Sequence, residues 1–500
     1  MSRRCLAAAI NTITTILQMP TVTRTNISID PDMSRVLIRP FFPFPRKQSL
    51  MIIARIMSLS EKQVERELEQ VLHGFSARHF AIEDVLLRRY KSIRDWRFCD
   101  VEPSRKRKLL IGAYFTSEYS LECAALFNPS LVVHPDQSGL TEDSLRFVMS
   151  LRAVGEGHVS SIAFREGVID ASCHIELETT SAVVLAPEPI VTVKHEQGEF
   201  SKKVYHMGIE NDYSQKVLAQ LGDEFTLDDL RRVIEIIADR EPRLAGMHPQ
   251  TREGMLWIAL SNYEIEFPSQ LPLSARVIFP NSPSEQNGIE DARFVRFEDD
   301  DGTITYYATY TAYSGRAILP QLLKTKDFLR FEINTLSGRA IENKGLALFP
   351  RKVGGRYMML SRQDGENVYL MVSEDMDVWR EKTPLARPSC PWEFVKLGNC
   401  GSPIELDEGW LVITHGVGPM RRYCVGAFLL DRNDPSRVIA RLKEPLLQPT
   451  ENEREGYVPN VVYSCGALVH RGTLILPYAM SDYASRIALV DLRDLLSSMA

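Results

Sequence analysis

Residues 287–323 read NGIEDARFVRFEDDDGTITYYATYTAYSGRAILPQLL, and their pattern decides the fold. An apolar β-like run (Phe294, Val295, Phe297) meets a tight Asp/Gly turn at 299–302. A second β-like run follows at 303–311 and a third at 317–323. The same order of strand, Gly-containing turn, strand, loop and strand recurs at 345–372, 402–430 and 460–490. Comparable strand starts are Asp291, Lys344, Ser402 and Asn460, spaced 53, 58 and 58 residues apart. A repeat of that length with three or four strands per unit predicts a β-propeller. One further copy built from 127–180 makes five blades. A β-sandwich, the competing all-β architecture, would not space its strands so evenly.

Outward from the repeat the period changes from two to that of a helix. Ser60 and Gln63 form a capping-box pattern, followed by Val64, Leu68, Val71, Leu72 and Phe75 on one helical face. Further helices are predicted at 80–93 and 107–124. A second helical segment is predicted near 209–240, capped by Thr226 and Asp229, with Leu230, Val233, Ile234 and Ile237 as a stripe packed on the body of the protein. The expected fold is an all-β core, a five-bladed propeller, with an N-terminal helical region and a helical insertion. The expected organisation is a disordered leader at 1–34, a helical region at 35–125, and the propeller at 126–500 interrupted near 209–240.

Composition narrows the function classes. Of 500 residues, 44% are apolar and 25% charged, the proportions of an ordinary globular protein. The net charge of -6 provides no global field for nucleic acid or an anionic membrane, so any anionic ligand needs a local cluster of cations. The polar Asn11, Thr12, Thr14 and Thr15 interrupt the apolar N-terminal run, and no stretch is long enough to cross a bilayer. Eight scattered cysteines form no metal-binding spacing, so free thiols in a reducing cytoplasm and no metal are expected.

In an antiparallel hairpin the start of one strand and the end of the next share a rim. The strand starts bring Asn128, Asp291, Lys344, Ser402 and Asn460 to one rim, and the second-strand ends bring Arg152, Tyr313, Arg362, His415 and Asp482. Almost all are polar, between apolar strands. Asp291 and Asp482 supply acids; Lys344, Arg362 and His415, with Arg316, supply cations, which without a metal motif point to an anion such as phosphate. Arg293, beside the Glu290–Asp291 pair, can hold a carboxylate ionised or orient it. Taken singly, each has a bland alternative as a solvated or structural residue.

These residues sit in segments that resemble glycoside hydrolase family 130, the β-mannoside phosphorylases and related mannosidases. The segments are NGIEDARF (287–294), YATYTAYS (307–314), NKGLALFPRKVGGRYMMLSR (343–362), GSPIE (401–405), THGVG (414–418), YVPNVVYSCGA (457–467) and PYAMSDYASRIAL (477–489), with FNPS (127–130) and RFVMSLRAVGEGHVSS (146–161) upstream. The resemblance implies a five-bladed propeller and inverting attack on a β-mannoside, with inorganic phosphate as nucleophile and α-mannose 1-phosphate as product. It implies Asp291 as the single catalytic acid, passing its proton through a mannose hydroxyl. Asn128, Arg146, Arg152, Asp482, Pro459 and Asn460 match positions that hold the mannosyl ring. Lys344, Arg362, His415 and Tyr423 match phosphate-binding positions. No cofactor is implied beyond phosphate as co-substrate; the partners are a β-mannoside oligosaccharide and phosphate, and the helical appendages offer a subunit contact. Two departures stand out: Ala292 replaces the proline of the usual Glu-Asp-Pro-Arg, and about a hundred residues separate Arg152 from Asp291.

An inverting phosphorylase needs only one protein acid, because phosphate replaces the base-activated water. An inverting hydrolase wants a second carboxylate placed for a water. A third reading, a non-catalytic carbohydrate-binding scaffold, gives no reason to set an acid beside an anion cradle.

Overall fold

The computed structural model describes residues 19–93, 102–190, 193–314 and 318–499. Arg316, Cys5, Cys99 and the first eighteen residues of the expected leader lie outside them. Among the described residues, five antiparallel sheets of four or five strands follow one another along the chain, beside two two-stranded ribbons. The first is built on Ala125–Val133, Leu145–Val154 and Ser160–Ile169; the second on Ile289–Glu298, Ile304–Tyr313, Ile318–Thr325, Arg330–Thr335 and Tyr263–Glu266. The third comprises Lys344–Leu348, Tyr357–Arg362, Val368–Ser373 and Glu381–Ala386. In the fourth, Trp410–Val417 and Tyr423–Leu430 are central; in the fifth, Thr473–Met480 and Ala484–Asp491.

The sheets pack face to face in cyclic order. One apolar core joins the first sheet to the second (Phe164, Phe294), another the second to the third (Phe297, Met359), and another the third to the fourth (Phe349, Trp410). Two more join the fourth to the fifth (Leu411, Leu476) and the fifth back to the first (Ile475, Met149). Both faces of each sheet are therefore covered, which explains why strands such as Trp410–Val417 are buried along their whole length and read as apolar runs rather than alternating ones.

The boundaries differ from expectation in four places. Residues 22–29, assigned to a disordered leader, form the strand Val22–Ile29, antiparallel to Ala484–Asp491 at the edge of the fifth sheet. Ile29 is buried there, and Arg24 pairs with the buried Glu453 at 3.0 Å. The alternating VTRTNISI suits a half-covered strand, and the edge of Ala484–Asp491 needs a partner for its backbone groups.

The helix expected at 107–124 starts instead at its Ser104 cap and ends at Tyr114; Thr116–Ser120 pairs with Val36–Pro40 as a two-stranded ribbon. The insertion is longer than 209–240, with five helices between Gln197–His206 and Pro249–Ser261. Thr226 and Asp229 form the expected capping box, but Leu230, Val233, Ile234 and Ile237 pack into the insertion's own core with Phe200, Val217 and Met255 rather than onto the sheets. Finally, Ser402 does not start the inner strand of the fourth sheet. That strand is Lys396–Asn399, followed by a break before Ile404–Glu405. No helix among the described residues is long and apolar enough to cross a membrane.

Candidate active site

The inner strands of the first three sheets all break register near the same end: between Phe127 and Ser130, Glu290 and Arg293, and Lys344 and Ala347. Each break is a bulge with one residue in the left-handed region, Asn128 (φ 52°), Asp291 (φ 54°) or Gly345 (φ 84°). Asn460 (φ 63°) and Asp482 (φ 52°) adopt the same conformation in the fifth sheet. Asn and Asp tolerate this backbone better than other residues with a Cβ. Bulges re-aim side chains, and here they turn polar groups toward a shared centre.

At that centre Asn128 donates from Nδ2 to Asp291 Oδ1 at 2.7 Å, and Arg152 Nη1 lies 3.5 Å from the same oxygen. Arg152 also donates from Nη2 to Glu290 Oε1 at 3.1 Å and lies over the Phe127 ring. Glu290 Oε2 in turn accepts from Lys344 Nζ at 3.1 Å. Behind them the buried Arg293 donates to the Asp291 carbonyl (2.9 Å), the Cys400 carbonyl (2.8 Å) and the Tyr463 hydroxyl (2.7 Å). It thereby ties the second, fourth and fifth sheets beneath the acid.

Two carboxyl groups at this centre are pushed in opposite directions. Burial raises the Asp291 carboxyl, but the fields of Arg152 and Arg293, the Asn128 hydrogen bond and Lys344 outweigh it and hold the group below the usual aspartate range. Asp482 has less support: burial and the neighbouring Asp291 charge push it up to about 6, against Arg152 and Arg421. Asp291 is therefore ionised at neutral pH in the free protein, while Asp482 takes up a proton in mildly acid solution.

Beside the acids lies a cationic wall. Lys344 and Arg362 are register partners across the first hairpin of the third sheet. Arg362 Nη1 lies 3.2 Å from His415 Nε2. Arginine can only donate, so Nε2 accepts and the ring is neutral. Burial, then Arg362, Arg293 and Lys396, push the His415 pKa well below its ordinary value, which agrees. The Tyr423 ring stacks on His415 at 6.2 Å and 10°, and Tyr463 meets it edge-on at 4.9 Å. The Tyr423 backbone N–H donates to the Asn460 carbonyl at 3.0 Å, which links this wall to the Pro459–Asn460 corner.

Nine of the ten residues singled out after Asp291 fall around this centre or its edge. Arg146 does not: it lies at the other end of Leu145–Val154, donating to the Asp136 carbonyl at 3.0 Å and pairing with Asp136 and Glu178. Six residues of extended strand put it about 20 Å from Arg152. Glu290, expected only as half of the acidic pair with Asp291, links Arg152 to Lys344, and Tyr463, for which no role was expected, anchors Arg293 and packs on His415. Both flank recognised residues, but only the fold shows what they touch. A further signal lay in spacing: the buried Glu122 and Glu285 each precede a bulge residue, Asn128 and Asp291, by six positions, and Glu453 precedes Asn460 by seven. Each is held by buried partners: Glu285 accepts from Tyr263 and Tyr310, Glu453 from Tyr478 and Arg24, and Glu122 from Arg35 and Arg165.

The arrangement can hold an anion against Lys344 and Arg362 while a carboxyl group acts a short distance away. Among the described residues there is no group of three or more His, Cys, Asp or Glu side chains placed to hold a metal.

A family model described as beta-1,4-mannooligosaccharide phosphorylase matches residues 256–500. The 1,2-beta-oligomannan phosphorylase of Thermoanaerobacter sp. (strain X514) is 34% identical over 247 residues, covering 48% of this chain and 79% of the relative. A beta-1,2-mannobiose phosphorylase of Listeria innocua is 33% identical over 219 residues, 41% of this chain and 58% of the relative. Among solved structures, a Listeria innocua beta-1,2-mannobiose phosphorylase in complex with beta-1,2-mannobiose aligns with a TM-score of 0.45 at 22% identity, covering 76% of this chain and 92% of the other.

Proposed function

The chain belongs to glycoside hydrolase family 130, and from that premise we infer that it cleaves β-mannosides by inverting phosphorolysis, giving α-mannose 1-phosphate in a reversible reaction. The observation that carries the reading is the joining of the Lys344–Arg362–His415 wall to the Asp291 carboxyl through Glu290 and Arg152. In this reading the five sheets are the blades of a propeller, and the bulges deliver the site to one end of its axis.

Phosphate binds Lys344 and Arg362, with His415 and Tyr423 closing the wall, and one of its oxygens attacks the anomeric carbon from the face opposite the leaving sugar. The bond to phosphate forms as the glycosidic bond breaks, and the departing oxygen takes a proton that originates at Asp291 and passes through a mannose hydroxyl. Asn128, Arg152, Asp482, Pro459 and Asn460 hold the ring.

The depressed Asp291 carboxyl fits this scheme only if ligand binding reverses its environment. Phosphate brings negative charge to Lys344, one of the cations whose fields lower the acid, so its arrival shifts Asp291 toward the protonated form that a proton donor needs.

The runner-up is hydrolysis, favoured by one observation: Asp482 is a second carboxyl group whose charge interacts with Asp291. The cationic wall would then serve no reactant. Incubation with α-mannose 1-phosphate and a panel of acceptors (glucose, N-acetylglucosamine, mannose, mannobiose) should release phosphate, and Lys344→Ala should slow that release. A protein that cleaves mannosides equally with and without phosphate supports the hydrolase instead.

A further inference from the structure

The rim beyond the mannose-holding corner carries aromatic groups that the reaction does not use. Tyr457, three residues before Asn460, is 72% exposed. Its ring meets the exposed His158 at 5.4 Å and 34°. His158 lies in the turn after Leu145–Val154, the strand that carries Arg152, and it adopts a left-handed conformation (φ 60°) although it has a side chain. Such strain persists where the surroundings fix it and clusters at binding sites. Here Tyr119 fixes the turn, its one hydroxyl proton shared between the Glu156 and Val159 carbonyls, both at 3.1 Å.

The Tyr457 segment is fixed as well. The Val458 N–H donates to the Ser481 carbonyl at 3.0 Å, and Arg454 Nε to Asn460 Oδ1 at 2.7 Å. Two neighbouring sheets thus hold a pair of solvent-facing rings beside Asp482 and Asn460.

We propose that Tyr457 and His158 form a stacking platform for the acceptor side of a β-linked mannooligosaccharide, so that the preferred substrate is longer than a disaccharide. The inference rests on the phosphorolytic reading and deepens it. In-line displacement puts the leaving sugar on the side of the mannosyl ring away from phosphate. The cationic wall belongs to the third and fourth sheets, and the platform to the fifth and first. An exposed aromatic pair continuous with a polar sugar site offers apolar area to the faces of pyranose rings, which present C–H groups.

The test is calorimetric titration of β-1,2- and β-1,4-linked mannobiose, mannotriose and mannotetraose in an Asp291→Asn background, where turnover does not interfere. Affinity is expected to rise from mannobiose to mannotriose in one of the two linkage series. Adding Tyr457→Ala should weaken mannotriose binding about tenfold, the ratio equivalent to about 1.4 kcal/mol. Tyr457→Phe, which keeps the ring, should restore it, and His158→Ala should produce part of the same loss. Equal affinity for all lengths, or a mannotriose affinity unchanged by Tyr457→Ala, overturns the platform. A parallel incubation of the wild-type protein with phosphate separates the two claims: absence of mannose 1-phosphate refutes phosphorolysis, while the titrations still decide the platform.

Discussion

Replacing Asn128 with glycine isolates one of the forces that keep Asp291 ionised, beside the fields of Arg152 and Arg293. The substitution removes the 2.7 Å hydrogen bond to Asp291 Oδ1 and leaves the backbone unstrained, because φ 52° is a conformation that glycine adopts freely. A hydrogen bond to a charged group contributes roughly 1.5–3 kcal/mol. Arg152, at 3.5 Å from the same oxygen, remains and compensates in part, so the lower half of that range applies. The ionised form should lose about ten- to fortyfold in its equilibrium with the neutral acid.

Carboxyl carbon NMR on aspartate-labelled protein, assigned by comparison with Asp291→Asn, measures this directly: the Asp291 titration should move to higher pH. The sign for stability follows. A carboxyl group lowered in the folded state stabilises above its unfolded value, near 3.9, and that stabilisation disappears as pH falls through the folded value. The Asn128→Gly protein should therefore be less stable than wild type at pH 7, with the gap narrowing in strong acid. A titration that stays in place or moves to lower pH would show that Asn128 does not support the ionised form, and the electrostatic account of the acid would fail.

Three other outcomes are expected. Lys344→Ala and Arg362→Ala should each raise the KM for phosphate at least about tenfold, since each removes a charge-assisted contact of roughly 1.5–3 kcal/mol, with a smaller effect on the KM for mannoside; steady-state kinetics with each substrate varied decides this. Glu290→Gln, which loosens both Arg152 and Lys344, should raise both KM values, whereas a change confined to phosphate would show that Glu290 positions Lys344 alone. With Asp482 titrating near 6, mannoside affinity should change between pH 5 and pH 7, and Asp482→Asn, a mimic of the protonated form, should remove that change and bind at pH 7 as wild type does at pH 5.

The repeat could be read from the chain because each sheet is covered on both faces, which leaves apolar runs punctuated by Asp/Gly turns. Asp291 could be read because an acidic pair and an arginine precede such a run. Other features depend on distance in space. Val22–Ile29 pairs with a strand more than four hundred residues away, so nothing local distinguishes it from a frayed end. Arg146 and Arg152 share a strand, and sequence proximity hides that they lie at opposite ends of it. Ser402 lies off the rim because the inner strand of the fourth sheet is broken, which shifts the rim toward Gly398, the register partner of His415. Glu290 reads as a solvated neighbour of the acid until Arg152 and Lys344 arrive from other sheets.

The most direct test of the central claim is phosphorus and proton NMR of the wild-type protein incubated with β-mannooligosaccharide and inorganic phosphate. The account predicts that phosphate is consumed and that mannose 1-phosphate appears with the α configuration from the first turnovers. Free mannose released at the same rate with or without phosphate, or a β-configured phosphate ester, would contradict it.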